Sequence, residues 1–248
     1  SDLYALLVTN FREAEDTYNA QLREVMGKMN DAAIEAGFRS FEDAMGRMSG
    51  SHGMSLVEMV ELDLPSVEGR VSLTPAEAMH LMLMDPMTRS LIDGGVELSL
   101  KRSKGGQGRV VLTSADLDAV EQQLDPKIVT FAKAMRDVLE TDIKPGMFDA
   151  VRRLTGSEPE SVPDYWPRSR DRDQKTELNV DDFLSGNGSM GQLAQIYLEN
   201  AGATKTRQQD RSSAIFVTSA METFVEHVDM GLRLTNFAEP IRVGDKSL

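Results

Sequence analysis

The chain has 248 residues, of which 40% are hydrophobic, and its formal net charge is −13 at pH 7, so it is long enough for one large domain or two small ones with a sizeable core. It contains no cysteine, which excludes disulfides, thiol nucleophiles and cysteine-ligated metal sites. The acidic balance argues against a uniformly basic DNA-binding surface, and no apolar run is long enough to predict a membrane span.

The first 50 residues predict a long amphipathic helix followed by a short one. Apolar residues recur every three or four positions from Leu3 to Met29, which is the pattern of one helix face. A second helix is predicted from Phe41 to Met48. We assign residues 1–50 to an N-terminal helical segment and residues 51–248 to a helical domain with small hairpins. The sequence leaves open whether the long helix packs on the rest.

Two β-hairpins are predicted in the next part of the chain. VEMVELDL, from Val57 to Leu64, alternates apolar and acidic residues, which indicates a strand with GRVSL as its partner. VELSLK and RVVLT form the second predicted hairpin around the glycine-rich, basic tip RSKGGQGR.

Helix-capping signals separate the predicted helices. Thr74-Pro75-Ala76-Glu77 contains the threonine and the glutamate of a capping box, with proline at the first helical position. We expect this helix to stop near Asp85-Pro86. Ser114 is the predicted cap of the helix ADLDAVEQQL.

The second half of the chain is also predicted to be mainly helical. Asp125-Pro126 starts a helix whose apolar face runs from Phe131 to Leu139, and a further helix near Met147 to Leu154 stops at Gly156. Residues 157–187 are irregular, and a helix follows from Gln192 to Glu199. The last helix takes Val217, Met221, Phe224, Val228 and Leu232 as its apolar face and ends before Pro240. The predicted fold class is therefore mainly α, a multi-helix domain with one or two small β-hairpins.

The segment SGNGSMG contains the glycine spacing of a dinucleotide-binding loop at Gly186, Gly188 and Gly191. That fingerprint needs a buried parallel strand before the loop and an acidic residue at the end of a second strand. Asp181 and Asp182 spoil the first requirement, and Asp210 lies in a polar stretch. We interpret the glycines as a loop before a helix, whose free amides could attract an anion, and we predict no cofactor.

Basic residues of the second half form the only candidate nucleic-acid surface. The candidates are Lys101, Arg102, Lys104, Arg109, Arg168, Arg170, Lys205 and Arg207. They could contact phosphates, although the hairpin tip is also a common place for solvated bases.

The remaining chemical side chains favour a structural role. None of His52, His80 and His227 has a second histidine three or four residues away, so no helical metal pair is predicted. We expect His80 and His227 to be partly buried and hydrogen-bonded. Trp166, the only tryptophan, is expected to anchor an irregular segment to the core, although aromatic residues among arginines can also stack on bases.

Several segments, read in order, resemble a region of the very large polyvalent proteins of bacteriophages and mobile elements. They are LTPAEAMHLMLMDP, LTSADLDAVEQQL, RRLTGSEPESVPDYWP, ATKTR, FVEHVD and AEPIR, between Leu73 and Arg242. The resemblance implies a helical region of a virion-associated protein that enters the host with the genome, in a chain much longer than 248 residues. It supplies no catalytic residues.

These observations lead to three expectations. The first is a non-catalytic structural or interaction module, which binds other domains of a larger chain or other virion proteins and could self-associate. The second is contact with nucleic acid during genome delivery. The third is a nucleotide-dependent enzyme that uses Gly186 to Gly191. The expected location is the virion, and the host cytoplasm after delivery.

Overall fold

The structure is a computed structural model that describes residues 2–49, 57–101, 107–156, 161–167, 169–170 and 214–247. The helices are α1 (Asp2–Glu35), α2 (Phe41–Ser49), α3 (Pro75–Met82), α4 (Pro86–Asp93), α5 (Ser114–Gln123), α6 (Pro126–Val138), a π-helix (Leu139–Ile143), α7 (Lys144–Thr155) and α8 (Ala220–Ser247). The strands are β1 (Val60–Asp63), β2 (Arg70–Leu73), β3 (Leu98–Lys101), β4 (Gln107–Val110), β5 (Ser169–Arg170) and β6 (Ile215–Val217). The predicted fold class, mainly α with small β elements, is confirmed.

Helix α1 packs along α8. The buried residues of α1 recur at the helical spacing that the sequence predicted, and they are Ala14, Tyr18, Val25, Met29 and Ala33. Asn236 donates a hydrogen bond of 2.7 Å from Nδ2 to Oε1 of Gln21, and the rings of Phe11 and Phe237 lie 6.3 Å apart. One hydrophobic cluster therefore contains residues from both 1–50 and 51–248.

The first hairpin forms as predicted, although its strands are shorter. β1 and β2 pair antiparallel, with Val60 opposite Leu73. The turn between them is tied to α5, because Asp116 accepts hydrogen bonds from both the backbone N–H and the hydroxyl of Ser66.

The capping predictions are confirmed for α3 and need a correction for α5. Thr74 and Glu77 form the complete capping box with Pro75 in the first turn. The cap of α5 is Thr113 and not Ser114, because Thr113 Oγ1 accepts from the backbone N–H of Asp116 and Asp116 reaches back to the N–H of Thr113. Ser114 instead donates to Asp93.

Asp85-Pro86 starts a helix that the sequence analysis missed. The preceding helix ends at Met82, and Asp85 accepts a hydrogen bond from the backbone N–H of Thr88 as the cap of α4. Proline is favoured at a first helical position because its missing N–H has no partner there in any case. The dipeptide therefore begins α4, shortly after the end of α3.

The second hairpin is confirmed, but it belongs to a four-stranded sheet with the order β4-β3-β6-β5. Strand β6 pairs parallel with β3, so that Leu98 lies opposite Ile215. The assignment of Val217 to the last helix was wrong. Val217 is a buried strand residue, and the hydroxyls of Thr218 and Ser219 hydrogen-bond to Thr223 and to the N–H of Glu222 at the start of α8.

The predicted end of the last helix before Pro240 was also wrong, because α8 continues through this proline to Ser247. Proline costs one backbone hydrogen bond within a helix. Phe237 and Ala238, just before it, still pack on the core, and this packing favours continuation of the helix.

The π-helix joins α6 directly to α7, and α7 approaches α8 closely at Gly146 and Gly231. The predicted apolar face of α6 is buried, and Gly156 ends α7 with a φ of 73°, as expected. A Cβ atom on Gly231 would lie 2.4 Å from Cγ2 of Ile143, and one on Gly146 would lie 2.8 Å from Oγ1 of Thr235. The two helices therefore approach each other closely because both positions lack a side chain.

Candidate functional site: a buried cluster of histidines and aromatic residues

The irregular segment 161–167, which we call the strap, inserts two consecutive aromatic side chains into the core. Tyr165 is 2% exposed and Trp166 is 1% exposed. The sequence analysis expected Trp166 to anchor an irregular segment, and its burial confirms this.

Each aromatic residue of the strap meets a buried histidine from a different helix. His80 of α3 accepts a hydrogen bond at Nδ1 from Nε1 of Trp166 at 3.5 Å, and the two rings meet edge to face with centroids 6.2 Å apart. His227 of α8 lies beside Tyr165, with ring centroids 5.3 Å apart. The strap therefore bridges α3 and α8, which the sequence analysis did not anticipate.

The contact with Trp166 favours one tautomer of His80. Because Nδ1 accepts from the indole, the proton of the neutral ring belongs on Nε2. Nε2 is buried and has no hydrogen-bond partner among the described residues. A buried donor without a partner costs about 1–3 kcal/mol, so this ring is held in place by packing rather than by a full set of hydrogen bonds.

Burial lowers the pKa of both imidazoles. The pKa of His80 and that of His227 fall from 6.5 to about 4, and desolvation of the charged form is the cause in each case. Both rings are therefore neutral at pH 7. Glu226 and Asp229, which flank His227 in the sequence, do not join it: Asp229 accepts from the Tyr18 hydroxyl and pairs with Arg233.

A partly buried ion pair from the π-helix region holds the strap backbone. Glu140 accepts the backbone N–H of Tyr165 at 2.6 Å through Oε1 and pairs with Lys144 Nζ at 2.7 Å through Oε2. Lys144 Nζ also donates to the carbonyl of Val162 at 2.7 Å. The side chain of Lys144 is only 10% exposed, so this charge is compensated by a carboxylate and a carbonyl as burial requires.

Two arginines lie beside the end of α3, near the strap residue Asp164. Arg89 and Arg136 each place a terminal nitrogen on the carbonyl of Met82, at 3.4 and 3.5 Å. Burial lowers the pKa of Arg136, and the carboxylate of Asp164 acts in the opposite direction. Asp164 has a positive φ of 51°, which is uncommon for a residue with a side chain.

The structure describes only part of the predicted basic surface. Lys101 is the last residue of β3, Arg170 ends β5, and Arg109 lies on β4, where it pairs with Glu97 at 3.2 Å. The strand order brings these three positions into one sheet. The other candidates, Arg102, Lys104, Arg168, Lys205 and Arg207, lie outside the described residues.

The candidate anion-binding loop cannot be placed on the fold. Gly186, Gly188 and Gly191 lie outside the described residues, as does the helix predicted from Gln192 to Glu199. The loop therefore stays a prediction.

An open groove of about 620 Å³ lies beside α5 and the start of α6. Its lining residues are Asp118, Glu121, Gln122, Leu124, Pro126, Val129 and Thr130. The two acids on it already pair with basic side chains, Asp118 with Arg89 at 2.6 Å and Glu121 with Lys133 at 2.7 Å. The groove thus lacks an uncompensated charge that would select a ligand.

The described residues contain neither a metal-binding cluster nor a membrane-spanning helix. No group of three or more histidine, aspartate or glutamate side chains is arranged to hold a metal ion within them. None of their helices has the length and apolar character needed to cross a membrane.

No protein-family model, curated protein or solved structure matches this chain. The resemblance to the polyvalent proteins of bacteriophages therefore rests on the sequence segments alone.

Proposed function

We propose that this chain is a non-catalytic structural or interaction module. The observation that carries the proposal is the burial of the two described histidines, His80 and His227, in the core. His80 and His227 are buried, neutral at pH 7 and packed on Trp166 and Tyr165, so they join α3, the strap and α8 rather than face a substrate.

The resemblance supplies the biological setting of this proposal. In that setting, the module belongs to a bacteriophage virion protein and acts in the virion, and in the host cytoplasm after genome ejection. Its partners are other domains of a longer chain, other virion proteins, or a second copy of itself. The helical fold with one continuous core suits a part that keeps its shape while neighbours bind to its surface.

The test is a thermal-unfolding screen of the chain against NAD, ATP, GTP, single-stranded DNA and duplex DNA at low and moderate salt. A ligand that binds only the folded state raises its stability by about 2.7 kcal/mol when present at 100 times its dissociation constant. The proposal predicts no shift with any nucleotide. A saturable shift with one of them, abolished by a bulky substitution of Gly188, would refute it in favour of an enzyme that uses the loop from Gly186 to Gly191.

Nucleic-acid contact during delivery is the second candidate. The strand register places Lys101 and Arg109 on one face of the four-stranded sheet, because Arg109 lies opposite Ser99, two residues before Lys101. Arg170 lies level with Ile215 and Leu98, which belong to the other face. Arg109 is more than half exposed even though it pairs with Glu97. Basic residues at neighbouring positions on one face of a sheet can contact phosphates.

Charge reversal tests this candidate. Arg109→Glu should weaken DNA or RNA binding and reduce its dependence on salt. Arg47→Glu is the matched control, because Arg47 has similar exposure and pairs with Asp43 at 2.9 Å on a different part of the fold. Equal effects of the two reversals would show that only net charge matters, and would argue against a binding surface on the sheet.

A further inference from the structure

Two kinds of contact attach the strap to the core, namely hydrogen bonds of its backbone and contacts of its aromatic rings. The hydrogen bonds that the structure shows for its backbone go to the side chains of Glu140 and Lys144. Its two aromatic rings contact the imidazoles of His80 and His227. Segments outside helices and strands can open locally at a lower cost than a helix or a strand.

The strap contributes an aromatic ring to the surroundings of each imidazole. His80 and His227 are 1% and 3% exposed, and they belong to α3 and α8, which lie outside the strap. Withdrawal of Tyr165 and Trp166 would remove the ring that faces each of them. A charged imidazole is poorly accommodated in the closed state and well accommodated in the open one.

We propose that the strap is an acid-sensitive latch, which opens when protonation of His80 and His227 expels Tyr165 and Trp166 from the core. The proposal concerns a conformational change and does not depend on the proposed function. It assigns the buried histidines a role in controlling exposure of the surface under the strap.

The charged groups of the surrounding elements leave the two imidazoles without a compensating partner. Three charged residues on the elements around His80 are engaged elsewhere. Glu77 of α3 accepts from Thr74, and Asp116 of α5 accepts from Ser66 and Thr113. Arg136 of α6 donates to the carbonyl of Met82.

The same holds around His227. On α8, Asp229 pairs with Arg233, and Glu226 has a raised pKa because of burial and the nearby Glu222. Glu140 and Lys144 pair with each other and with the strap backbone. Among the residues that the structure describes, no carboxylate is therefore engaged with either imidazole to stabilise its charged form.

The direction of the pH effect follows from linkage. In the closed state the pKa of each imidazole is about 4, against 6.5 when exposed, so the open state binds more protons between these values. Opening becomes more favourable as pH falls, by about 30-fold per histidine at pH 5 relative to high pH, or about 1,000-fold for both. Below about pH 4 no further gain comes from these groups.

Trp166 allows opening to be measured directly, because it is the only tryptophan of the chain. Its emission maximum and its quenching by acrylamide should be recorded from pH 8 to pH 3.5, together with far-UV circular dichroism of the helices. The latch predicts that emission shifts to longer wavelength and quenching increases at a higher pH than the loss of helical signal. Coincident curves would mean global acid unfolding and would overturn the proposal.

Variants connect the transition with the histidines. The double variant His80→Gln/His227→Gln should move the tryptophan transition to lower pH. Lys144→Met removes the other attachment and should move the transition to higher pH. An unchanged transition in the double variant would overturn the proposal. Should that variant fail to fold, the separation of the two curves in the native protein decides alone.

Discussion

The close approach of α7 and α8 predicts that Gly231→Ala destabilises the protein. A Cβ at this position would lie 2.4 Å from Cγ2 of Ile143 and 2.9 Å from Sδ of Met147. Ile143 is 1% exposed and Met147 is fully buried, so neither side chain can move into solvent. Ile143 is also β-branched, and such side chains have little freedom at χ1.

Two opposing effects set the magnitude. Overpacking a filled core costs about 1–3 kcal/mol, and contacts this short favour the upper end. Replacing glycine by alanine within a helix gains about 1 kcal/mol. The expected net loss is therefore about 2 kcal/mol in the free energy of unfolding, or about 4–8 °C in Tm for a chain of this size.

Gly27→Ala is the matched control. Gly27 lies within α1, and a Cβ there would have no atom within 4 Å, so only the gain of about 1 kcal/mol in helix propensity remains. Urea unfolding followed by circular dichroism measures both variants. The reasoning requires shifts of opposite sign, and a Gly231→Ala variant stabilised as much as Gly27→Ala would refute it.

Three further substitutions probe the buried polar contacts. Asp116→Ala should lower the free energy of unfolding by about 2–3 kcal/mol, because it removes one partner of the capping box and leaves the donors of Ser66 and Thr113 without an acceptor. Asp118→Ala, which removes an exposed ion pair, should cost only about 0–1 kcal/mol, and equal losses in urea unfolding would contradict this. Lys144→Met should cost more than Lys133→Met in the same assay, about 1–3 kcal/mol against less than 1, because only the first lysine is buried. Thr74→Ala should cost about 1 kcal/mol in thermal unfolding through loss of the capping box, and no change would show that the cap is dispensable.

The acidic limb of the stability curve also depends on Asp116. Burial opposes ionisation of this carboxyl, but hydrogen bonds from Ser66 and Thr113 outweigh it and lower the pKa. A carboxyl whose pKa is lower in the folded state than in the unfolded state stabilises the fold fully at a pH above its unfolded-state pKa. This stabilisation is lost as the pH falls through the folded-state pKa.

The elements with strong local signals were predictable from the sequence. The capping box at Thr74 and the left-handed stop at Gly156 need only neighbouring residues, and both occur where expected. The apolar spacing of α1 and α6 likewise reflects burial of one face.

The errors come from interactions between distant parts of the chain. The spacing of Val217 suits a helix as well as a strand, and its pairing with β3, more than 100 residues earlier, decides between them. Pro240 is a local stop signal that packing overrides. The π-helix and the contact of His80 with Trp166, 86 residues apart, have no local signature. The i, i+4 spacing of Glu140 and Lys144 is that of a helical ion pair, but the sequence analysis did not predict it.

The claim that the reactive side chains belong to the core can be tested most directly by NMR. The imidazole resonances of His80 and His227, assigned through single substitutions, should be followed from pH 8 to pH 6. The account predicts that neither titrates in this range, because the pKa of each is about 4. Titration of either ring near its ordinary pKa of about 6.5 would show an accessible acid–base group and would contradict a non-catalytic core role.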